Sequence, residues 1–200
     1  MSSDSAVRLG APERRAQLLG AARSVFGEHG FTATSMNDIA EQAGVTKPVL
    51  YQHFASKHDL FHELLAETAA LLVSRLQGEI EASETGREKV ERGVDAYVSF
   101  FAENPHRFRV LYGEGVRSDP VFREQLRGVN NSFHEFSAAH IDIADLDQQR
   151  RLVAAQAIAG MLEHGVERWI HSDSTLSAAE LSATLTSLAW RGLRGSPPNG

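Results

Sequence analysis

The chain has 200 residues, a formal net charge of −6 and no cysteine. The lack of cysteine excludes disulfide and thiolate chemistry, and no apolar run approaches the ~20 residues that a transmembrane helix requires. The N-terminal segment has no apolar stretch typical of a signal peptide, so we expect a cytoplasmic protein without membrane contact. The acidity belongs to the second part of the chain, because residues 1–60 carry six Lys/Arg and six Asp/Glu whereas residues 61–200 carry fourteen and twenty.

The first predicted elements are two helices. Apolar residues recur at helical spacing from Pro12 to His29, and Gly30 is expected to end this helix because glycine tolerates the left-handed conformation. Ser35 and Asp38 form an S-x-x-D capping box, which predicts the start of a second helix. Gly44 is expected to end that helix in the same way as Gly30.

A third short helix is predicted after a tight turn. Thr46 is a candidate N-cap, and Pro48 falls in the first turn, where its missing N–H costs nothing. Leu50 and Phe54 are four residues apart and are expected to face inward. The pattern predicts a helix-turn-helix, whose second helix can enter the major groove of DNA.

Residues 31–60 contain the run F-x-x-T-S-x-x-D-I-A-x-x-A-G-V-T-K-x-x-L-Y-x-H-F-x-S-K-x-x-L. This run resembles the DNA-binding domain of TetR-family transcriptional regulators. The match covers residues 12–60, and the rest of the chain resembles the family in length and helical pattern only. The resemblance implies a dimer that binds double-stranded DNA and holds a ligand in a second, helical domain.

Candidate DNA contacts lie on the third helix and around it. Hydroxyl, imidazole and ammonium groups suit phosphates, whereas Gln52, Lys47 and the Pro48–Val49 surface suit base edges or a thymine methyl group. The predicted DNA-binding residues are Arg14, Ser35, Thr46, Lys47, Pro48, Val49, Tyr51, Gln52, His53 and Lys57. A basic face is expected from Arg14, Arg15, Arg23, Lys47 and Lys57. The alternatives are packing within the domain for Tyr51 and His53, and solvated surface charge for Arg14 and Arg15.

The remainder of the chain is predicted to be helical. One long helix is expected from Lys57 to Glu84, and at ~1.5 Å per residue it spans roughly 40 Å. Further helices are expected over 86–104, 105–113, 119–140, 148–171 and 177–194, and no alternation typical of a strand is present. We therefore predict an all-α fold of about nine helices. A three-helix DNA-binding domain is expected at residues 12–56, and a larger ligand-binding and dimerisation domain at residues 57–195.

An aromatic concentration indicates a ligand site. Eight of the fifteen aromatic residues lie between Tyr97 and Phe136, and ligand sites are concave and mostly apolar with a few polar groups. The alternative is ordinary core packing, and Trp190 is assigned to the core or a dimer surface. The runs RFRVLYGEG and AIAGMLEHGVERW resemble those of actinobacterial regulators of lipid metabolism, which implies a fatty acyl effector. A small apolar or amphipathic effector is predicted to contact Tyr97, Phe101, Phe108, Tyr112, Phe133, His134, Met161 and His164.

Two apolar stripes in the last two helices predict a homodimer interface. Their residues alternate by three and four, as in a helix-packing seam. The alternative is burial of the stripes within one subunit. The predicted interface residues are Leu152, Ala155, Ala159, Leu162, Val166, Leu181, Leu185 and Leu188.

The functional prediction is a ligand-responsive repressor that binds a palindromic operator as a dimer and is released by its effector. The alternative is a DNA-binding regulator controlled by a protein partner. No catalytic motif is present, so we predict that the chain is not an enzyme. His58 and His62 have a possible metal spacing, but the run HDLFH differs from H-E-x-x-H, and we predict neither a metal nor a cofactor.

Overall fold

The computed structural model describes residues 10–142 and 146–195, and within them it contains ten α-helices and no strand. The predicted all-α fold class is confirmed. In chain order the helices are α1 (Ala11–Ala33), α2 (Met36–Gln42), α3 (Lys47–His53), α4 (Lys57–Glu81), α5 (Gly86–Glu103), α6 (His106–Tyr112), α7 (Glu114–Ser118), α8 (Pro120–Ala139), α9 (Gln148–His171) and α10 (Ala178–Arg194).

All nine helices expected from the sequence are present, and the structure adds α7. This helix has five residues, which is too short for an apolar periodicity to reveal it. Gly115 of α7 is buried against Phe31 of α1. The additional helix therefore belongs to the packing between the N-terminal helices and the remainder of the chain.

Local sequence explains how the helix-turn-helix begins and ends its helices. The Ser35 hydroxyl accepts a hydrogen bond from the Asp38 N–H, and the Asp38 carboxylate accepts one from the Ser35 N–H, so the predicted capping box is present. Gly30 and Gly44 have φ values of 80° and 65°, a region that other residues rarely adopt. Gly44 follows α2 as expected, whereas Gly30 kinks α1, which continues to Ala33 instead of ending at His29. Thr46 occupies the N-cap position of α3, but its side chain makes no capping hydrogen bond.

The core of the N-terminal helices includes the first half of α4. Leu18, Ile39 and Leu50 are fully buried, and Leu60 and Leu64 of α4 are buried with them. Burying each of these side chains contributes about 1.5–3 kcal/mol. The long helix α4 is therefore packed into the helix-turn-helix at one end and continues into the rest of the chain at the other.

An aromatic cluster joins α1, α4 and α8. The Phe61 ring centroid lies 5.0 Å from that of Phe26 and 4.8 Å from that of Phe122. His58 of α4 stacks on Phe122 with ring centroids 4.3 Å apart, and its Nε2 lies 3.2 Å from a carboxylate oxygen of Asp119. Since Asp119 also caps α8, the start of α8 is held directly against the start of α4.

Helix α6 is packed closely on α1. A Cβ built at Gly27 of α1 would lie 2.5 Å from Cγ and 2.7 Å from Nδ1 of His106, and the Arg109 guanidinium donates to the carbonyl oxygen of Glu28. Only glycine allows this approach at position 27, because real Cβ atoms are not found at such distances. The opposite end of α6, Tyr112, faces away toward the centre of the remaining helices.

None of the helices in residues 10–142 and 146–195 combines the length and the apolar composition that crossing a bilayer demands.

Candidate functional site

The exposed surface of α3 is the candidate DNA-recognition surface. Leu50 is fully buried, whereas the neighbouring Tyr51 side chain is 44% exposed. Lys47, Pro48 and Gln52 are also exposed, and Val49 and His53 are half-buried. The Lys47 ammonium lies 5.9 Å from the Tyr51 ring centroid. The predicted contact residues of α3 thus form one surface, and their roles in DNA binding stay predictions.

Three residues around α3 are placed in different ways. Ser35 is exposed at the start of α2, although its hydroxyl is engaged in the capping box. Thr46 is exposed, and its side chain is left free of a capping role. Arg14 is half-buried on α1 and donates to the side chain of Gln17 at 2.6 Å. Each still has a donor for the acceptor oxygens of a phosphate, because the Ser35 and Thr46 hydroxyls and the other N–H groups of Arg14 are not used in these bonds.

Lys57 conflicts with its predicted role as a phosphate contact. Its ammonium donates to the carbonyl oxygens of Phe31 and Thr34, each at 2.8 Å, and lies 4.5 Å from the Phe31 ring centroid. These bonds satisfy carbonyls at the end of α1 that the helix cannot satisfy itself. A phosphate contact would require Lys57 to give them up, so the geometry favours a structural role.

The expected basic face is smaller than the sequence suggests. Arg15 pairs with Glu63, and Arg23 pairs with Glu67 at 2.7 Å. Both carboxylates lie on α4, so the two arginines connect α1 to α4 instead of facing outward. Within residues 10–64, Arg14 and Lys47 are the cations that have neither a carboxylate nor a backbone carbonyl as partner.

A cavity of about 300 Å³ lies among α4, α5, α8 and α9; we refer to it as the central cavity. One wall is apolar and includes Leu72 and Leu76 of α4 and Val90 and Val94 of α5. Such a wall suits a hydrocarbon part of a ligand, because removing apolar surface from water is favourable.

The opposite wall of the central cavity combines apolar residues with a group of polar side chains. It includes Asn130, His134 and Ser137 of α8 and Gln156 and Glu163 of α9. His134 Nδ1 and Ser137 Oγ are buried and have no hydrogen-bond partner, which costs about 1–3 kcal/mol for each such atom. Burial lowers the pKa of His134, which favours its neutral form, and raises the pKa of Glu163.

Two tyrosines close the inner end of the central cavity. The hydroxyls of Tyr97 on α5 and Tyr112 on α6 lie 3.3 Å apart, within hydrogen-bond distance. Burial raises the pKa of Tyr97 well above its ordinary value and that of Tyr112 to about 12, and nearby Glu163 adds to both shifts. Both tyrosines are therefore neutral and able to donate hydrogen bonds.

The outer end of the central cavity lies where α5 begins. A Cβ built at Gly86 would lie 3.9 Å from the Trp190 ring and 4.0 Å from the carbonyl oxygen of Asp142, so these three residues meet there. Lys89 also lines this end. From Gly86 to Tyr97 the cavity follows α5 for about 16 Å.

Half of the predicted ligand residues line the central cavity, and half do not. Tyr97, Tyr112, Phe133 and His134 line it. Phe101 and Phe108 instead pack in the core with ring centroids 5.3 Å apart, Met161 packs against the core, and His164 is exposed. The structure therefore does not bring these four to the cavity, because helical periodicity does not distinguish a core face from a cavity face, and their contact with a ligand stays a prediction. Trp190, assigned to the core or a dimer surface, lines the cavity.

The predicted dimer stripe mostly faces the interior of the subunit. Five of its eight residues are buried in the single chain and have no surface to offer a partner: Ala155, Leu162, Val166, Leu181 and Leu185. Ala155, Ala159 and Leu162 line the central cavity. For the five buried residues the structure favours the alternative of burial within one subunit, and the interface as a whole stays a prediction. Leu188, by contrast, is 57% exposed, and Leu152 is half-buried.

Sequence reasoning missed most of the polar wall. Asn130, His134 and Ser137 follow one another at i, i+4 and i+7 on α8, a spacing that places them on one helix face. This polar stripe lies between apolar residues that also face inward. A polar stripe on an otherwise apolar, inward-facing helix surface is the sequence pattern that could have predicted Asn130 and Ser137 as cavity residues.

Comparison with known proteins bears on both sites. The family model described as bacterial regulatory proteins, tetR family, matches residues 18–64, which include α2 and α3. The transcriptional activator FasR of Mycolicibacterium smegmatis is 28% identical over 192 residues, covering 95% of this chain and 87% of that protein.

Two solved structures share the fold along most of the chain. A TetR-like transcriptional regulator from Rhodococcus sp. RHA1 is 28% identical with a TM-score of 0.80, covering 94% of this chain and 100% of that chain. The regulator FadR from Bacillus subtilis in complex with stearoyl-CoA has a TM-score of 0.76 at 22% identity, covering 87% and 96%. At that identity the second likeness shows the fold alone. Residues 18–64 thus match the tetR family of bacterial regulatory proteins, and along 94% of its length the chain is similar in sequence and fold to a TetR-like transcriptional regulator, which supports a DNA-binding transcriptional regulator.

Proposed function

We propose that the chain is a homodimeric repressor that binds a palindromic operator and releases it when an apolar or amphipathic effector occupies the central cavity. One observation carries the proposal: two helices that line the central cavity, α4 and α6, also pack against α1 of the helix-turn-helix. A dimer bound to its operator can block other proteins from that DNA. A repressor therefore requires no additional surface that contacts the transcription machinery.

Helix α4 provides the first physical connection. Its N-terminal residues Leu60 and Leu64 are fully buried in the helix-turn-helix core, and its later residues Leu72 and Leu76 line the central cavity. Bending a continuous α-helix between these two ends is energetically unfavourable. A displacement of α4 at Leu76 therefore also moves its N-terminal end, which packs against the helix-turn-helix. An effector can change DNA affinity only by binding the two arrangements with different affinity.

Helix α6 provides the second connection. Tyr112 ends α6 at the cavity, and His106 begins α6 against Gly27 of α1. An effector that displaces Tyr112 from its hydrogen bond with Tyr97 would therefore move α6 against α1. Because His106 packs directly against Gly27, no space between the helices would allow α6 to move without displacing α1.

The effector that we propose is a fatty acyl compound. The apolar wall of α4 and α5 fits a hydrocarbon chain, and its length of about 16 Å suits an extended one. The solved FadR with stearoyl-CoA supports this class by likeness. The central cavity weighs against the alternative of control by a protein partner alone, because such a regulator has no need of it.

The proposed dimer uses the outer faces of α9 and α10. Val153 and Leu188 are 60% and 57% exposed, although large apolar side chains are normally covered when they form a patch. A dimer would present two copies of α3 to half-sites ~34–36 Å apart.

The proposed domains are a DNA-binding domain at residues 12–56 and a ligand-binding and dimerisation domain at residues 57–195. Helix α4 packs against both.

The experiment combines operator selection and mobility shift. Binding-site selection from random DNA is expected to yield a palindrome, and Tyr51→Ala is expected to weaken binding to it about tenfold or more. Leu71→Ala is the matched control, because Leu71 is 47% exposed on α4 and lies away from α3. Tetradecanoyl-CoA is expected to release the operator. Unchanged DNA affinity at saturating bound tetradecanoyl-CoA would refute control by this effector class.

A further inference from the structure

Two buried polar atoms of the central cavity lack a partner. His134 Nδ1 and Ser137 Oγ make no hydrogen bond, and both residues line the cavity. They lie three residues apart on α8, so their side chains are neighbours on one helix face. Buried polar groups are nearly always hydrogen-bonded, and an exception calls for a physical reason. Both atoms have almost no accessible surface in the structure, so a ligand group would supply the missing bonds once the His134 or Ser137 side chain turns toward the cavity.

We infer that the effector carries an uncharged hydrogen-bonding group, a hydroxyl or a carbonyl, which binds between His134 and Ser137 while its apolar chain lies along α4 and α5. The inference rests on the proposed function, because it specifies the effector of the same cavity. A ligand with an unsubstituted alkyl chain would leave both polar atoms without a hydrogen bond, so the inference distinguishes the two classes of ligand.

The charges around the cavity indicate that this group is neutral. Glu163 lies on the same wall and is partly buried. A ligand carboxylate held deep in the cavity would lose its hydration and lie near a second acidic group. Among the described lining residues Lys89 is the one Lys or Arg, and it lies near the outer end beside Gly86, where His140 and Asp142 also line the cavity. An anionic head group is therefore expected at that end, and a neutral group farther in.

The chemistry of the two side chains fits either a hydroxyl or a carbonyl. A serine hydroxyl can donate and accept, and a neutral imidazole presents one donor and one acceptor according to its tautomer. Burial lowers the pKa of His134 and so favours that neutral form. A hydroxyl on the ligand can satisfy both partners whichever tautomer His134 adopts, which makes it the better probe.

The depth of the site follows from α8. Ser137 and His134 precede Ile141, which lines the outer end, by four and seven residues. At ~1.5 Å per residue they lie roughly 6 and 10 Å inside that end. The hydrogen-bonding group thus belongs part of the way along the apolar chain and not at its tip.

The test compares two ligands that differ by one hydroxyl. Tetradecanoate and 7-hydroxytetradecanoate are titrated into the full-length protein by calorimetry, since their carboxylate can stay beside Lys89 while the hydroxyl reaches the level of Ser137. The wild type is expected to bind the hydroxylated compound about fivefold more tightly, the factor that one net hydrogen bond gives. Ser137→Ala and His134→Leu are each expected to reduce this preference.

Ser132→Ala is the matched control. Ser132 is an exposed serine of the same helix whose hydroxyl donates to the carbonyl of Gly128, so its removal should leave the fivefold preference intact. Equal affinity of the wild type for both compounds would overturn the inference while leaving the proposed effector class in place. A preference that survives both Ser137→Ala and His134→Leu would also overturn it. If neither compound bound, both the inference and effector binding in this cavity would fail.

Discussion

Replacing Gly27 by alanine tests how tightly α6 is held against α1. A Cβ at this position would lie 2.5 Å from Cγ of His106, whereas carbon atoms in ordinary contact are about 3.5–4.0 Å apart. The two helices must therefore separate by about 1 Å or more. Overpacking of this kind typically costs 1–3 kcal/mol, and about 2 kcal/mol lowers Tm by about 4–8 °C in a chain of this size.

The same helix offers a control with the opposite sign. Gly20 lies in α1, and no atom comes within 4 Å of a Cβ built there. Gly20→Ala should stabilise the protein by about 0.5–1 kcal/mol, because alanine loses less conformational freedom in a helix than glycine. Both variants are compared with the wild type by thermal unfolding at one protein concentration. A Gly27→Ala protein as stable as Gly20→Ala would refute the close contact.

A second substitution locates the effect at the contact itself. The three atoms nearest to the built Cβ of Gly27 all belong to the His106 side chain. The double variant Gly27→Ala/His106→Gly should therefore recover most of the lost stability, with a coupling free energy of about 1–2 kcal/mol. Additive losses would show that the cost arises elsewhere. The same proteins also report function, because a displaced α6 should alter operator release by the effector.

Three further outcomes are expected. Lys57→Met should lower the free energy of unfolding by about 2 kcal/mol. Lys47→Met should leave stability unchanged and weaken DNA binding mainly at low salt. Equal effects of the two variants on stability would contradict the structural role of Lys57. Leu188→Glu should give a monomer in light scattering and Leu71→Glu should not; two dimers would exclude the proposed interface. Hydrogen bonds from backbone N–H groups at the start of α5 lower the pKa of Glu88 from 4.5. The stability lost in Glu88→Gln should therefore be full above pH 4.5 and decrease as the pH falls through the lowered pKa of the folded state; a difference that does not change with pH would count against this reasoning.

The sequence predicted the local features of the fold because their causes are local. The Ser35–Asp38 capping box, the glycine breaks at Gly30 and Gly44, and the inward side of α3 depend on residues within one or two turns of each other. Helix boundaries elsewhere were expected within a few residues for the same reason. These features required no knowledge of which helix packs against which.

Most differences between prediction and structure at the two candidate sites concern tertiary partners. Apolar periodicity marked Leu162 and Leu185 as a stripe, but it could not say whether the stripe faces a second subunit or the interior of the same one. Phe101 was assigned to the ligand and is fully buried in the core for the same reason. Lys57 was assigned to phosphate because a cation near DNA is expected there, whereas its carbonyl partners lie 23 and 26 residues earlier.

The ion pairs that connect α1 to α4 affect how the regulator searches a genome. Arg15 and Arg23 are neutralised by Glu63 and Glu67, so few phosphates can be contacted by cations of the helix-turn-helix. Affinity for arbitrary DNA depends on such contacts and on the counterions they displace. The protein should therefore spend little time on unrelated sequences, and its occupancy of the operator depends on the few base contacts made by α3.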